Sequence, residues 1–351
     1  MQNLINIQSI KRIDTYDYMK CIAIIIVVMG HLYNLSYDEM PLGPSMQSKV
    51  NQFIQICEMP LFFFLSGLFA KPQVQLSGVL SQLKSKFFQL ILPFFACGIL
   101  AAYFIREGTI QGMFQDYHKY GYWFLQSLFM FYIYFYGISL LFRVEKASLR
   151  IALYFCSIFL LYIVAKILIQ YNPSLAIYLN AYALKQYYLF FVLGYLFKQY
   201  QQILLSFIRA KLGTIVLFGY IFIIISLTCV NITGGGKTII NILASISVIL
   251  ILYFFIENHK NSFPLIMQRS MLYIGRHTLD IYVLHYFLIP TNQPWMHQLF
   301  GISNGTSYNV LFEILGGILI SLIVILGCIM LSTFIRMSKL MSLFLLGDNR
   351  K

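Results

Sequence analysis

The chain has 351 residues, of which 59% are hydrophobic and only 11% charged, with 25 Lys and Arg against 12 Asp and Glu. A soluble domain carries roughly 45–50% apolar and about 25% charged residues, so this chain has too few charges to solvate a globular surface and too many large apolar residues for disorder. That excludes a soluble enzyme, and it excludes nucleic-acid binding too, because no non-hydrophobic stretch is long enough to make a basic domain.

A membrane-crossing helix needs about 20 mostly apolar residues. In chain order the apolar runs predict ten spans, at 16–35, 51–70, 87–105, 122–142, 151–171, 179–198, 212–230, 239–256, 271–290 and 310–335. They read as one all-α polytopic transmembrane bundle, a single domain over 1–351. Short turn-rich stretches such as 41–44 and 233–236 separate them. The first run is too long for a cleavable signal peptide, is punctuated by Lys20 and His31, and has no small-residue cleavage site after it.

Cytoplasmic loops of membrane proteins collect Lys and Arg. With the N-terminus inside, 17 basic residues, from Lys11 and Arg12 to Arg350 and Lys351, fall on the cytoplasmic side. Only 4 (Lys49, Arg106, Lys119 and Lys237) fall on the other, which predicts N-in/C-in. The six cysteines, Cys21, Cys57, Cys97, Cys156, Cys229 and Cys328, lie singly, without CxxC or Cys/His ligand spacing, so neither a disulfide nor a metal site is expected.

Four basic residues fall inside spans or at their edges: Lys20, Lys166, Lys185 and Arg276. A central charge costs roughly 2.5–3.5 kcal/mol to insert, which makes such residues functional candidates. In the first span Lys20 and His31 are eleven apart, so they share one helix face and stand roughly 16 Å from each other. Asp17, three residues before Lys20, can neutralise it. A histidine so placed is suited to take a proton near neutral pH. The bland alternative is a snorkelling Lys20 and an interfacial His31.

The wording of these segments resembles membrane-bound acyltransferase family 3, the O-acyltransferases of cell-envelope sugars. Asp17, Lys20 and His31 fit that family's Asp-x-x-Arg/Lys-x10-His opening helix. The run Met59-Pro60-Leu61-Phe62-Phe63-Phe64-Leu65-Ser66-Gly67-Leu68-Phe69 is similar to its Pro-x-Phe-Phe-x-x-Ser-Gly-Phe segment, with Leu68 where Phe or Tyr is common. Tyr122-Trp123-Phe124-Leu125 resembles its Trp-Phe-Leu motif. The run from Ile274-Gly275-Arg276 to Tyr282-Val283-Leu284-His285 resembles its late Gly-x-x-Ser/Thr-Leu-x-Ile-Tyr-x-x-His helix. One departure concerns the family's Arg/Lys-x-x-Arg before the third span: here Lys86 is followed by Gln89, so a donor-phosphate grip is weaker or shared with Lys84, unless Lys84 and Lys86 are ordinary positive-inside residues.

The resemblance implies a bacterial inner-membrane acyltransferase. It would move an acetyl or similar short acyl group from a cytoplasmic acyl-CoA donor, acetyl-CoA foremost, to a hydroxyl of an envelope polysaccharide or glycolipid. No permanently bound cofactor is implied. In that reading His31 is the general base, and Lys20, Asp17 and Lys86 bind the donor or organise the helix. Ser66 and Tyr282 are possible oxyanion donors, although Ser66-Gly67 reads equally well as a small-residue helix contact.

Further residues each carry two readings. Glu58 either orients the His31 imidazole or faces the outer headgroups. Arg276 and Asp280 form an i,i+4 pair that is either self-neutralising or functional. His285 sits nine residues beyond Arg276, on roughly the opposite face of one helix, and matches the family pattern, so it is either an accessory site residue or structural. Trp123 either stacks on a sugar or anchors at the interface, and Lys166 and Lys185 are expected to line a hydrated cavity.

The stretch Thr233-Gly234-Gly235-Gly236-Lys237-Thr238 echoes a phosphate-binding loop, but the first glycine of that motif falls on Asn231 and no strand precedes it. Asn231-Ile232-Thr233 and Asn304-Gly305-Thr306 fit the glycosylation sequon. Two other function classes compete with the enzyme: a transporter of an envelope saccharide or metabolite, which would suit the same buried polar groups, and an accessory protein without activity. The sequence fixes no oligomeric state.

Overall fold

The computed structural model describes residues 14–36, 49–105, 108–141, 146–228, 234–290 and 310–348. Every regular element among them is helical. Lys11, Arg12, Arg106, Arg143, Cys229, Arg350 and Lys351, the stretch 41–44 and both sequons lie outside the described residues.

Helix α1 (Asp14–Ser36) has Asp14 and Asp17 in its first turn, where carboxylates complement the helix dipole. It runs through the middle of the bundle, with Met19, Ala23, Ile24, Val27 and Val28 wholly buried. In α2 (Lys49–Gly67), Pro60 has no N–H to give to the Ile56 carbonyl. The hydroxyl of Ser245 supplies that bond from another helix, at 2.6 Å, a repair that a lipid-surrounded helix requires.

Helix α3 (Leu76–Lys86) passes through a π turn (Phe87–Ile91) into α4 (Leu92–Phe104). Pro93 cannot donate to the Gln89 carbonyl, and the widened turn absorbs the missing bond. The third expected span, 87–105, is therefore the second half of a longer helical run.

A short α5 (Ile110–Gln115) and a 3-10 turn (Lys119–Gly121) lead to α6 (Trp123–Leu141), α7 (Ala147–Tyr171), a short α8 (Pro173–Tyr178) and α9 (Ala181–Gln199). Helices α2 and α9 cross with their backbones touching. A Cβ on Gly67 would stand 1.9 Å from the Phe191 carbonyl oxygen, and one on Gly194 2.0 Å from that of Phe64. Small residues at a crossing are what lets membrane helices pack this closely, so the Ser66-Gly67 pair does serve a helix contact.

Helices α10 (Gln201–Ala210) and α11 (Leu212–Thr228) meet at 81°. Then come α12 (Gly234–His259), which packs on α1, α2 and α11, α13 (Leu265–Arg276), α14 (Thr278–Leu284), a 3-10 turn (His285–Phe287), α15 (Val310–Ile335) and α16 (Lys339–Leu346).

Six of these helices are long and apolar enough to cross a membrane, or seven if α10 and α11 form one bent span. The chain is a multi-pass membrane protein, with fewer such helices than the ten runs in the sequence. Polar residues account for part of the difference: Asn51, Gln52, Gln55 and Glu58 in α2, and Lys185, Gln186 and Lys198 in α9, dilute two helices that are otherwise 19 residues long. The run 271–290 is not one helix, because it breaks at His277 and tightens into a 3-10 turn at His285.

Lys198 and Lys260, which the sequence assigns to the cytoplasmic side, gather at the N-terminal end of α1. The Lys198 ammonium lies 5.0 Å from the Tyr16 ring centre, and Lys260 donates to the Thr15 hydroxyl at 2.9 Å. At the opposite end Lys49 donates to the Leu227 carbonyl at 2.6 Å and Lys119 to that of Ile177 at 2.9 Å.

Candidate active site

The N-terminal end of α1 holds a cluster built on Asp17. Its carboxylate lies 3.3 Å from the Lys20 ammonium and 3.6 Å from the Arg276 guanidinium. Gly275 makes the second contact possible: α13 comes so near α1 that a Cβ there would sit 2.0 Å from the Asp17 carbonyl oxygen. Lys20 covers the Phe69 ring at 4.2 Å, and Lys86 is near enough to feel its charge. Lys86 also donates to Gln89 at 2.9 Å, so the residue at the family's second basic position is a neighbour of the first.

The expected Arg276–Asp280 pair does not form. An i,i+4 pair needs a continuous helix, and the break at His277 puts the two residues on α13 and α14. Asp280 instead accepts from Arg336 and from the Ser332 hydroxyl, both at 2.7 Å, and Arg336 also pairs with Asp348.

Toward the other end of α1 the break has a second consequence. His285, wholly buried, turns back on His31. Nδ1 of His285 lies 3.1 Å from the Ile281 carbonyl, which can only accept, so that nitrogen carries a proton. Nε2 of a neutral His285 is then an acceptor. It faces Nδ1 of His31 at 3.1 Å, which makes His31 the donor there. Nε2 of His31 keeps its lone pair and receives the Tyr286 hydroxyl at 2.6 Å. From Val27 to Tyr33 only His31 is not buried, so it keeps some accessible surface within a packed helix.

The Tyr286 phenol has a second acceptor in the Gly121 carbonyl, 3.2 Å away, and the Tyr282 hydroxyl donates to the same oxygen at 2.8 Å. The turn that presents this carbonyl is unusual: Lys119, Tyr120 and Gly121 have φ of 51°, 52° and 103°. A Cβ on Gly121 would also lie 2.2 Å from the Tyr286 ring. The buried Lys119 ammonium fixes the turn by donating to the carbonyls of Phe114, Asp116 and Ile177 at 2.6–2.9 Å. Burial pushes that ammonium down to about 8, and the three carbonyls favour its charged form.

Residues 13–333, nearly the whole chain and all of the geometry around Asp17 and His31, match the acyltransferase domain of acyltransferase family 3. The chain belongs to that family. It is an acyl-transferring enzyme in a membrane, and no observation favours a transporter. No curated protein and no solved structure matches it.

Within this acyltransferase the other expected site residues fall as follows. The Ser66 hydroxyl donates to the Phe62 carbonyl of its own helix at 2.9 Å, and the Tyr282 hydroxyl to the Gly121 carbonyl at 2.8 Å. Trp123 opens α6 and is half-buried, with its ring 5.6 Å from that of Tyr187 and 6.2 Å from Phe63. Lys166 is exposed on α7, and Lys185 is half-buried near the start of α9. An apolar cavity of about 570 Å³ between α7, α9, α10 and α12 is lined by residues such as Phe155, Phe197 and Leu250, and by none of the expected site residues.

Sequence reasoning missed Tyr286 and Gly121; it named His285 as a possible accessory residue but set it on the helix face opposite Arg276. A helical wheel drawn through 276–285 as one helix separates His285 from the polar face, and the break removes that separation. The adjacent His285-Tyr286 pair, two proton-carrying side chains side by side in an apolar run, was the available signal.

Proposed function

We propose that this acyltransferase moves an acetyl or similar short acyl group from a cytoplasmic acyl-CoA to a hydroxyl of a cell-envelope polysaccharide or glycolipid. It would do so in the bacterial inner membrane, with about ten crossings and both termini in the cytoplasm. The observation that carries the reading is the chain His285–His31–Tyr286, which fixes the tautomer of one imidazole and leaves its Nε2 as the base.

A sugar hydroxyl is a poor nucleophile until a base removes its proton. In the proposed reaction the Tyr286 phenol turns its proton to the Gly121 carbonyl, and Nε2 of His31 accepts the proton of the acceptor hydroxyl. The sugar oxygen bonds to the thioester carbonyl carbon as that proton leaves. Collapse of the tetrahedral adduct breaks the C–S bond, and His31 returns the proton to the departing thiolate. His285 keeps His31 in the productive tautomer and shares the charge of the transient imidazolium. The products are an ester and a free thiol, and the imidazole ends as it began.

Donor binding is assigned to the N-terminal end of α1, where Lys20 and Arg276 flank the Asp17 carboxylate and Lys86 lies within electrostatic reach of Lys20. That excess of positive charge suits the phosphates of a coenzyme A thioester. Support for the cytoplasmic orientation comes from Lys198 and Lys260 at the same end.

Mass analysis of the envelope polysaccharide from cells with and without the gene tests this reading. A difference of one acetyl or similar acyl unit per repeat is expected, and an identical glycan would overturn it.

A further inference from the structure

Glu58 lies on the face of α2 that carries Phe62 and Ser66 one and two turns further on. Its Oε2 is enclosed, and among the described residues it has no hydrogen-bond partner. Gly30 provides the space it occupies: a Cβ at that position would stand 2.6 Å from Oε2, so the carboxyl lies against the residue just before His31. Native proteins rarely leave such a buried polar atom unpaired, and an orphan at a reaction centre points to a partner that arrives with the substrate.

The protein's own groups do not fill that role. The Tyr282 hydroxyl is used by Gly121 and the Ser66 hydroxyl by Phe62. Orienting His31 is not the task of Glu58 either, because the imidazole has two nitrogens and His285 and Tyr286 engage both. Tyr187 is within electrostatic reach of Glu58, and its ring, 5.6 Å from Trp123 and 5.3 Å from Phe63, forms an aromatic wall. Trp123 and Tyr187 both keep accessible surface. A carboxylate beside aromatic faces suits a ring with hydroxyls on its edge and C–H groups on its face.

We infer that Glu58 binds the acceptor: it takes a hydrogen bond from the sugar hydroxyl next to the one His31 deprotonates, while Trp123 and Tyr187 support the ring. The substrate class is therefore a pyranose bearing adjacent hydroxyls. This rests on the reading of His31 as base.

The test uses the purified full-length protein with labelled acetyl-CoA. The acceptor is the envelope glycan of a strain lacking the gene, stripped of esters by mild base. Glu58→Ala is expected to raise the acceptor KM at least tenfold while the KM for acetyl-CoA stays within twofold, and Glu58→Gln, which keeps one carbonyl acceptor, to fall between it and wild type. If the alanine variant fails to fold, the glutamine variant is read alone, with a threefold rise required. If it folds but is inactive, binding of the labelled glycan decides: lost binding supports the assignment and retained binding overturns it. An unchanged acceptor KM, or an equal rise in both KM values, also overturns it. Failure of the underlying reading is separately visible in the same assay, as transfer that survives His31→Ala.

Discussion

Nδ1 of His31 and Nε2 of His285 stand 3.1 Å apart, joined across 254 positions of the chain. Because the other nitrogen of His285 is held by a carbonyl, the contact has one direction: His31 donates and His285 accepts. Removing the acceptor frees His31 to adopt the wrong tautomer. His285→Phe is expected to lower acyl transfer by about 10²–10³-fold, within the range of general-base effects. His285→Gln, which restores an acceptor oxygen, should recover part of it. Steady-state rates with acetyl-CoA across pH check both, and a phenylalanine variant of wild-type rate would contradict the relay.

Gly121 answers two demands at once, a φ of 103° and the Tyr286 ring where a side chain would go. Gly121→Ala should cost about 1–3 kcal/mol in backbone strain and displace Tyr286 from His31. Lower melting temperature in detergent together with at least a tenfold loss of rate is the expected result. Loss of stability without loss of rate would separate the turn from the site.

The pairing of Asp280 with Arg336, in place of Arg276, gives a sharp contrast between two substitutions. Arg336→Met leaves a buried carboxylate with only Ser332, and should destabilise the protein by about 2–4 kcal/mol, a value reduced for the partial exposure of Arg336. Arg276→Met leaves that site intact and is expected to change melting by far less. Thermal unfolding of the two variants side by side checks the assignment, and the reverse order would restore the i,i+4 pair.

Gly275→Val tests the crossing that brings Arg276 to Asp17. Its Cβ meets Asp17 backbone at 2.0 Å, which no rotamer can relieve. Separation of α13 from α1 should reduce stability and raise the KM for acetyl-CoA if the basic cluster binds the donor. An unchanged donor KM in a folded variant would remove the cluster from donor binding.

Much of this was legible in the sequence because it depends on short-range spacing. Asp17 and Lys20 are one helical turn apart, and their contact needs only α1 to be a helix. The membrane class followed from composition, and the family from motifs spread along the chain. What could not be read depends on where a helix breaks. Nothing in Gly275-Arg276-His277-Thr278 stops a helix by itself, so the projection of 276–285 onto one wheel misplaced both Asp280 and His285. The partners of those residues, Arg336 and His31, are remote in the chain and are found only through packing. Of the ten apolar runs, six or seven correspond to helices long and apolar enough to cross a membrane among the described residues, in part because polar residues such as Asn51, Glu58 and Lys185 lower the hydropathy of α2 and α9.

The most direct measurement is acyl transfer by the purified His31→Ala protein, with correct folding verified by thermal unfolding. The account expects transfer from acetyl-CoA to the ester-free glycan to fall by at least 10²-fold, with acetyl-CoA binding retained through the cluster around Asp17. A folded variant that transfers acyl groups at the wild-type rate would contradict it.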